Sequence, residues 1–274
     1  MRATKQALTY LGLAALAAFL LFPFVWMVLV SLQPSKAPLP ELGRIFENAK
    51  HWENYAIVLF RTPVPVGRFF FNSVLVAVVV VIGQVLVSAM AGFGLARYRF
   101  AGRDTVFGLF IGSMMFAGAV TQIPVFLMLR SWGWLDTYAA LIVPALSSSF
   151  NVFLLRQFFL AIPKEIEEAA YLDGAKDWTI FSRLFLPMSK PALATVASFT
   201  FIATWTDFFW PLMATQSQSM RTLEVGLSIF QAGYQGNNWP LQMTAAVITL
   251  LPVLVVFLLL QKSFVRGVTL GALK

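Results

Sequence analysis

The sequence has no cysteine and a single histidine, His51. The first absence excludes a disulfide framework, a thiolate metal site and a cysteine nucleophile. The second leaves no material for a multi-histidine metal cluster. Charge is scarce too. Asp, Glu, Lys and Arg make up 12% of the 274 residues, about half the quarter typical of a soluble domain, which is too little to cover a water-facing surface. Neither HExxH nor Gly-x-Ser-x-Gly occurs, so the zinc-protease and serine-hydrolase patterns are absent. No Gly-x-x-x-x-Gly-Lys-Ser/Thr phosphate loop occurs either, and any ATP hydrolysis must belong to another chain.

What the sequence does have is apolar. Hydrophobic residues make up 59%, with 27 Phe and 8 Trp, a composition that excludes a solvated coil and identifies an integral membrane protein. The net charge of +8 comes from 20 Lys and Arg against 12 Asp and Glu. Nucleic-acid binding would call for a basic groove interleaved with stacking aromatics, and none is visible. The excess follows from the retention of cations on the cytoplasmic side of membranes.

A helix crossing the hydrocarbon core needs about 20 mostly apolar residues. Charge-poor runs of that length fall at about 8–32, 69–96, 105–129, 137–160, 192–214 and 241–261. The expected fold is therefore all-α, a polytopic membrane protein with six transmembrane helices in a single domain. The first run follows Arg2 and Lys5, but it is too long for the 7–15-residue core of a cleaved signal and ends in Trp26 and bulky aliphatics. It reads as a retained span. Placing both termini in the cytoplasm puts most cations inside, with Arg130 and Arg221 alone in the short outside loops. Residues 33–68 then form an external segment. Pro124, Pro144 and Pro252 lie within spans, where bundle partners satisfy the carbonyls that proline frees. Gly92 and Gly94 permit close helix packing.

One inside loop, residues 162–190, differs from the others. Pro163 suits a first helical position, and Glu165, Glu167 and Glu168 favour the positive end of a helix dipole. Gly174 after Asp173 can adopt the left-handed conformation that stops a helix. Asp177 fits the N-cap of a second helix through Leu186, which Pro187 would end. The two-helix element is too charged for lipid and too short to be stable alone. Its five acids repel an anionic membrane surface, so a protein groove is the expected partner.

Glu168-Ala169-Ala170, three residues, Gly174, nine residues, then Leu184-Phe185-Leu186-Pro187 resembles the EAA loop of ABC importer permeases; Leu184 stands where that family usually has Ile. Trp52-Glu53-Asn54-Tyr55, Phe71-Asn72-Ser73, Leu155-Arg156-Gln157-Phe158-Phe159, Thr204-Trp205-Thr206-Asp207-Phe208 and Phe264-Val265-Arg266-Gly267 look like its carbohydrate branch. The likeness covers nearly the whole chain and is to the second, maltose-type permease of a heteromeric sugar transporter. It implies a multi-pass protein of a bacterial or archaeal plasma (inner) membrane, paired as a heterodimer with a second six-span permease. Two cytoplasmic ABC ATPase subunits, carrying ATP and Mg, would drive the pair, and an extracytoplasmic sugar-binding protein would deliver the substrate. The chain itself would bind no cofactor and catalyse nothing. Residues 162–190 would form a cytoplasmic coupling-helix loop, with the ATPase-coupling surface on Glu167, Glu168, Ala169, Ala170, Asp173, Gly174, Leu186 and Pro187. Glu168 would pair with a basic group on the ATPase.

Asp207 is the one acid within a span, and an intramembrane carboxylate is a functional candidate by default. Asp207, Trp205, Asn151 and Gln122 are the candidates for a substrate pathway, set against a structural hydrogen-bonding role for Asp207. The polar loop 231–239 is a candidate contact for the binding protein, and Gly271-Ala272-Leu273-Lys274 a candidate tail in the ATPase cleft. A secondary ion-coupled carrier is the alternative; it needs ionisable relays at midplane and leaves the acidic elbow without a role.

Overall fold

The computed structural model describes residues 2–40, 45–46, 48–116, 118–234 and 238–272, and the described residues are helical or irregular, without strands. Four helices are long and apolar enough to cross a membrane: Gln6–Ser31, Val66–Arg97, Tyr138–Ala161 and Trp239–Leu259. Two further candidates are bent pairs, which bring the number to six if each counts as one span.

We label α1 Arg2–Ser31, α2 Val66–Arg97, α3 Arg103–Ser113, α4 Gly118–Ser131, α5 Tyr138–Ile142 and α6 Ser149–Ala161. The elbow helices follow, α7 Lys164–Leu172 and α8 Asp177–Ile180. The chain continues with α9 Lys190–Trp205, α10 Phe209–Ala214, α11 Leu223–Tyr234 and α12 Trp239–Ala272. Residues 235–237 and 273–274 lie outside the described residues, so the expectations for the middle of the 231–239 loop and the end of the tail fall there.

The third and fifth apolar runs are broken rods. α3 and α4 meet at 102°, and the segment Asp177–Met188 meets α9 at 77°. A count of apolar residues senses length but not direction, which is why the sequence shows the run of 105–129 as continuous. Pro144 lies in a short 3-10 turn, Val143–Leu146, that links α5 to α6.

The helices form two compact units. In the first (Met1–Arg68 with Gly226–Pro252), buried Asn54 holds the end of α1. Its Nδ2 donates to the carbonyls of Ser31 and Gln33, each at 2.8 Å. Ser31 and Tyr55 share a hydroxyl hydrogen bond of 2.9 Å. These bonds explain the Trp52-Glu53-Asn54-Tyr55 run: an amide closes the helix end, where carbonyls lack intrahelical partners.

In the second unit (Phe69–Val225 with Val253–Lys274), Asn72 does the same for another loop. Its Nδ2 donates to the carbonyls of Ser219 and Arg221, each at 2.8 Å, and its Oδ1 accepts from Tyr138 at 2.7 Å. Gly92 is packed so closely that an added Cβ would lie 3.1 Å from the Arg156 nitrogen and 3.2 Å from Leu155 Cβ. Small residues let membrane helices approach in this way. Gly94 faces open space, so the close approach expected of both glycines is made by Gly92.

Candidate functional site

The elbow folds from local rules. Pro163 stands just before α7, in extended geometry at the N-cap, with Glu165 and Glu167 in the first turn. At the other end Gly174 has φ +76°. The Ala175 amide donates to the Ala170 carbonyl and the Gly174 amide to the Tyr171 carbonyl, both at 3.0 Å. This pairing is the Schellman arrangement that closes helices through a left-handed glycine. The second helix differs from expectation at both ends. Lys176 occupies the N-cap and Asp177 the first helical position, so the Asp177 carboxylate is free to accept from Tyr171 at 2.8 Å. The chain then widens into a π-helix over Phe181–Phe185 and continues through Pro187 to Met188. The Leu186 amide donates to the Phe181 carbonyl across this wider turn.

The inner side of the elbow is a packed aromatic and aliphatic cluster. Ile180, Phe181 and Phe185 meet Phe93 of α2 and Leu155 and Phe159 of α6, with Ala192 and Val196 of α9. Phe93 lies 4.9 Å from Phe185 and 5.1 Å from Phe181, centroid to centroid, within the range where aromatic pairs add to area burial. Ala170 and Ala175 pack at the edge of this cluster.

Arg97, the last residue of α2, is embedded beneath the elbow with its side chain 4% exposed. Its Nη2 donates to the Phe159 and Ile162 carbonyls at the end of α6, both at 2.6 Å. Its Nη1 lies 3.4 Å from Glu167 Oε2. Its guanidinium carbon sits 4.7 Å from the centre of the Phe185 ring. The sequence groups Arg97 with the other cytoplasmic-side cations. Nothing in its local setting, Leu95-Ala96-Arg97-Tyr98-Arg99, sets it apart from those cations.

The other side of the elbow is open. Glu168, Ala169, Asp173, Gly174 and Pro187 are exposed, Leu172 is 89% exposed and Trp178 67%. Leu186 is half-buried at the cluster's edge. The expected coupling residues therefore divide. Glu167 is bonded inward to Arg97, whereas Glu168, one residue on, makes no ion pair among the described residues. Partial desolvation and the Asp177 hydrogen bond push the Tyr171 phenol up to about 12. It therefore stays a neutral donor at physiological pH. Arg99, Arg103 and Lys164 line a groove along the flank of α7 together with Glu167, Glu168 and Tyr171.

Asp207 lies in the non-helical break between α9 and α10, not within a continuous span helix as the sequence suggests, and its Oδ1 accepts the Trp210 amide at 3.3 Å. It lines a cavity of about 190 Å³ with Ser73, Gln84, Thr200, Thr204, Trp210 and Thr222 among other residues. Asn151 is buried behind that wall, bonded to Gln84 at 2.6 Å and Thr200 at 3.0 Å, while Thr200 also donates to Gln84. Gln84 Nε2 caps the Ala145 carbonyl at 2.6 Å, a carbonyl close to Pro144. Trp205 is buried against Phe70 and Phe201 instead of lining the cavity. Trp210 is the tryptophan on the cavity wall, and its indole NH donates to the Ala140 carbonyl at 2.9 Å. Gln122 sits on α4 with its buried Oε1 lacking a partner. Of the four expected pathway residues, the structure places Asp207 at the cavity and Asn151 directly behind it; Trp205 and Gln122 lie elsewhere. Among the described residues no group of three acids or histidines could hold a metal ion.

Asp136 is a second residue whose role the sequence does not announce. It adopts φ 60° in the α4–α5 loop, and its Oδ1 accepts from the Gln216 and Ser217 amides at 2.9 and 3.0 Å and from the Ser217 hydroxyl at 3.0 Å. Burial alone would raise its carboxyl, but the two amides and the hydroxyl outweigh that and hold it below the usual carboxylate range.

A family model described as binding-protein-dependent transport system inner membrane component matches residues 14–270. The arabinooligosaccharides transport system permease protein AraQ of Halalkalibacterium halodurans is 32% identical, over 100% of this chain and 99% of that one. The trehalose/maltose transport system permease protein MalG of Thermococcus litoralis is also 32% identical, over 98% and 97%. Among solved structures, a bacterial ABC transporter involved in the import of the acidic polysaccharide alginate superposes with a TM-score of 0.78 at 23% identity, covering 96% of this chain and 97% of that one.

Proposed function

The chain belongs to the inner membrane components of binding-protein-dependent transport systems, and from that premise we propose that it forms half of the translocation pathway of an ATP-driven sugar importer. It is a multi-pass membrane subunit and not the ATPase of its system. The sugar assignment is supported by the arabinooligosaccharide and trehalose/maltose permeases, each covered nearly end to end. A di- or oligosaccharide, or a derivative of one, is the substrate class. A second six-span permease completes the pathway, an extracytoplasmic binding protein delivers the sugar, and two ATPase subunits bind ATP and Mg. Both termini and the elbow lie on the cytoplasmic side.

The observation that carries the reading is the two-sided elbow. Its inner face is packed into the spans, while its outer face presents Glu168, Ala169, Leu172 and Gly174 to the surroundings. Apolar surface such as Leu172 and Trp178 next to exposed acids suits a groove on another protein. Glu168 then pairs with a cation in that groove, and a charge-assisted pair is directional enough to transmit both push and pull. Closure of the ATPases around ATP biases the permease between inward- and outward-facing arrangements. An ion-coupled carrier would need several ionisable groups along its path; among the described residues Asp207 is the sole ionisable side chain on the cavity wall.

Uptake in vesicles containing the complete system tests the proposal. Uptake should cease when the ATPase is inactivated and persist when the proton gradient is collapsed. Uptake that follows the proton gradient and ignores the ATPase contradicts the reading.

A further inference from the structure

Arg97 has a role that its count as one more cytoplasmic-side cation does not cover. Four contacts converge on it from elements around the elbow: the Phe159 and Ile162 carbonyls ending α6, Glu167 on α7, and the Phe185 ring after α8, all reached from the end of α2. A guanidinium suits this place because its planar fork offers separate donors in fixed directions and stacks on a ring. A cation at the end of α6 also meets the negative pole of that helix. The side chain is almost wholly buried, so water competes little for these bonds.

We infer that Arg97 is a latch, a positioning residue that fastens both helices of the elbow to the ends of α2 and α6 so that they move as one rigid body. The inference rests on the coupling role proposed above for the elbow. It gives the two neighbouring acids different jobs. Glu168 grips outward, and Glu167 ties the same helix inward. Pulling on α7 then displaces α2 and α6 directly, without first swinging the elbow on its flanking loops.

Because the chain has no cysteine, introduced ones are unique. Leu160→Cys near the end of α6 and Lys176→Cys between the elbow helices, both at exposed positions, carry a spin-label pair. Interspin distances are measured in phosphatidylethanolamine–phosphatidylglycerol vesicles, without any partner chain. The parent pair should give one narrow distribution. R97M should broaden it most, R97K less, and E167Q least, since E167Q leaves both carbonyl bonds in place. R97K is the folding control: it keeps a cation under the elbow but cannot reach four partners from one nitrogen. Distributions that superimpose in the parent and R97M overturn the latch. So does failure of R97K to insert, because Arg97 would then serve folding.

In the assembled importer, R97M should lower uptake per ATP hydrolysed by at least about tenfold, since a single one of the charge-assisted hydrogen bonds it removes is on that scale, while hydrolysis continues. Uptake and hydrolysis that fall in parallel contradict the latch. E168K separates the two readings. Full uptake in E168K would remove the coupling role of the outer face, whereas the interspin widths still judge Arg97.

Discussion

The elbow and the Asp207 cavity both concentrate polar residues in an apolar chain, yet they use them in opposite ways. Around the cavity the polar groups largely bond to one another and to backbone. Gln84, Asn151 and Thr200 form a closed set, Asp207 accepts an amide, and Trp210 donates to Ala140. On the elbow's outer face, Glu168 stays exposed with no ion pair among the described residues, and large apolar groups stand beside it. Polar groups buried in a bilayer must be satisfied from within. On the elbow an exposed acid without an ion pair among the described residues stands beside exposed leucine and tryptophan, which is the surface that the proposed function assigns to a partner. Under the proposed function the cavity is architecture and the elbow is the handle.

The largest expected effect sharpens that comparison at Gly174. Its φ of +76° lies outside the range of a proline ring, which is fixed near −65°, so G174P should abolish uptake while the protein still inserts. G174A should be milder, since a left-handed alanine costs roughly 1–2 kcal/mol and nothing lies within 4 Å of the added Cβ. Membrane content by immunoblot, alongside uptake, distinguishes the two outcomes. Next comes E168K, which reverses the sign of the outward grip without touching the packed face. Uptake should fall about tenfold or more, the scale expected when an attractive charge pair is replaced by a repulsive one. Normal co-purification with the ATPase at full transport would break the comparison.

D207N should change uptake by about threefold or less, on the scale of one neutral hydrogen bond, measured at matched expression. A larger loss than in E168K would reverse the ranking and make the cavity the working site. The smallest effect is on stability. The depressed Asp136 carboxyl contributes stability that is present above the ordinary carboxylate pKa and is lost as pH falls through its lowered value in the folded protein. D136N should lower the melting temperature by a degree or two near neutral pH, and the gap to the parent should close on acidification. A gap independent of pH would show that the charge is not the cause.

Much of the elbow's local fold was legible in the sequence because its chemistry is local. Gly174, the acids after Pro163 and the spacing to Pro187 specify a stopped helix and a turn without reference to the rest of the chain. The details that shifted are those where tertiary packing overrides local preference. Asp177 gives up the N-cap and accepts from Tyr171, and the wide turn over Phe181–Phe185 carries the helix past Pro187. Asp207 was visible as the lone acid of its run, but the break that removes it from a continuous helix was not. Arg97 and Asp136 were illegible for a different reason. Their partners lie 62 to 88 residues away in the chain, and no local pattern encodes such a pairing. The same limit applies to the two bent runs, whose length was readable and whose direction was not.

The central claim, that the elbow's open face is gripped by a separate motor, is tested most directly by a photo-crosslinker attached at Leu172→Cys, the chain's sole cysteine. The account predicts adducts with the ATPase subunit, formed when reagent reaches the elbow from the cytoplasmic side. Adducts with lipid alone, or labelling only from the outer side, would contradict it.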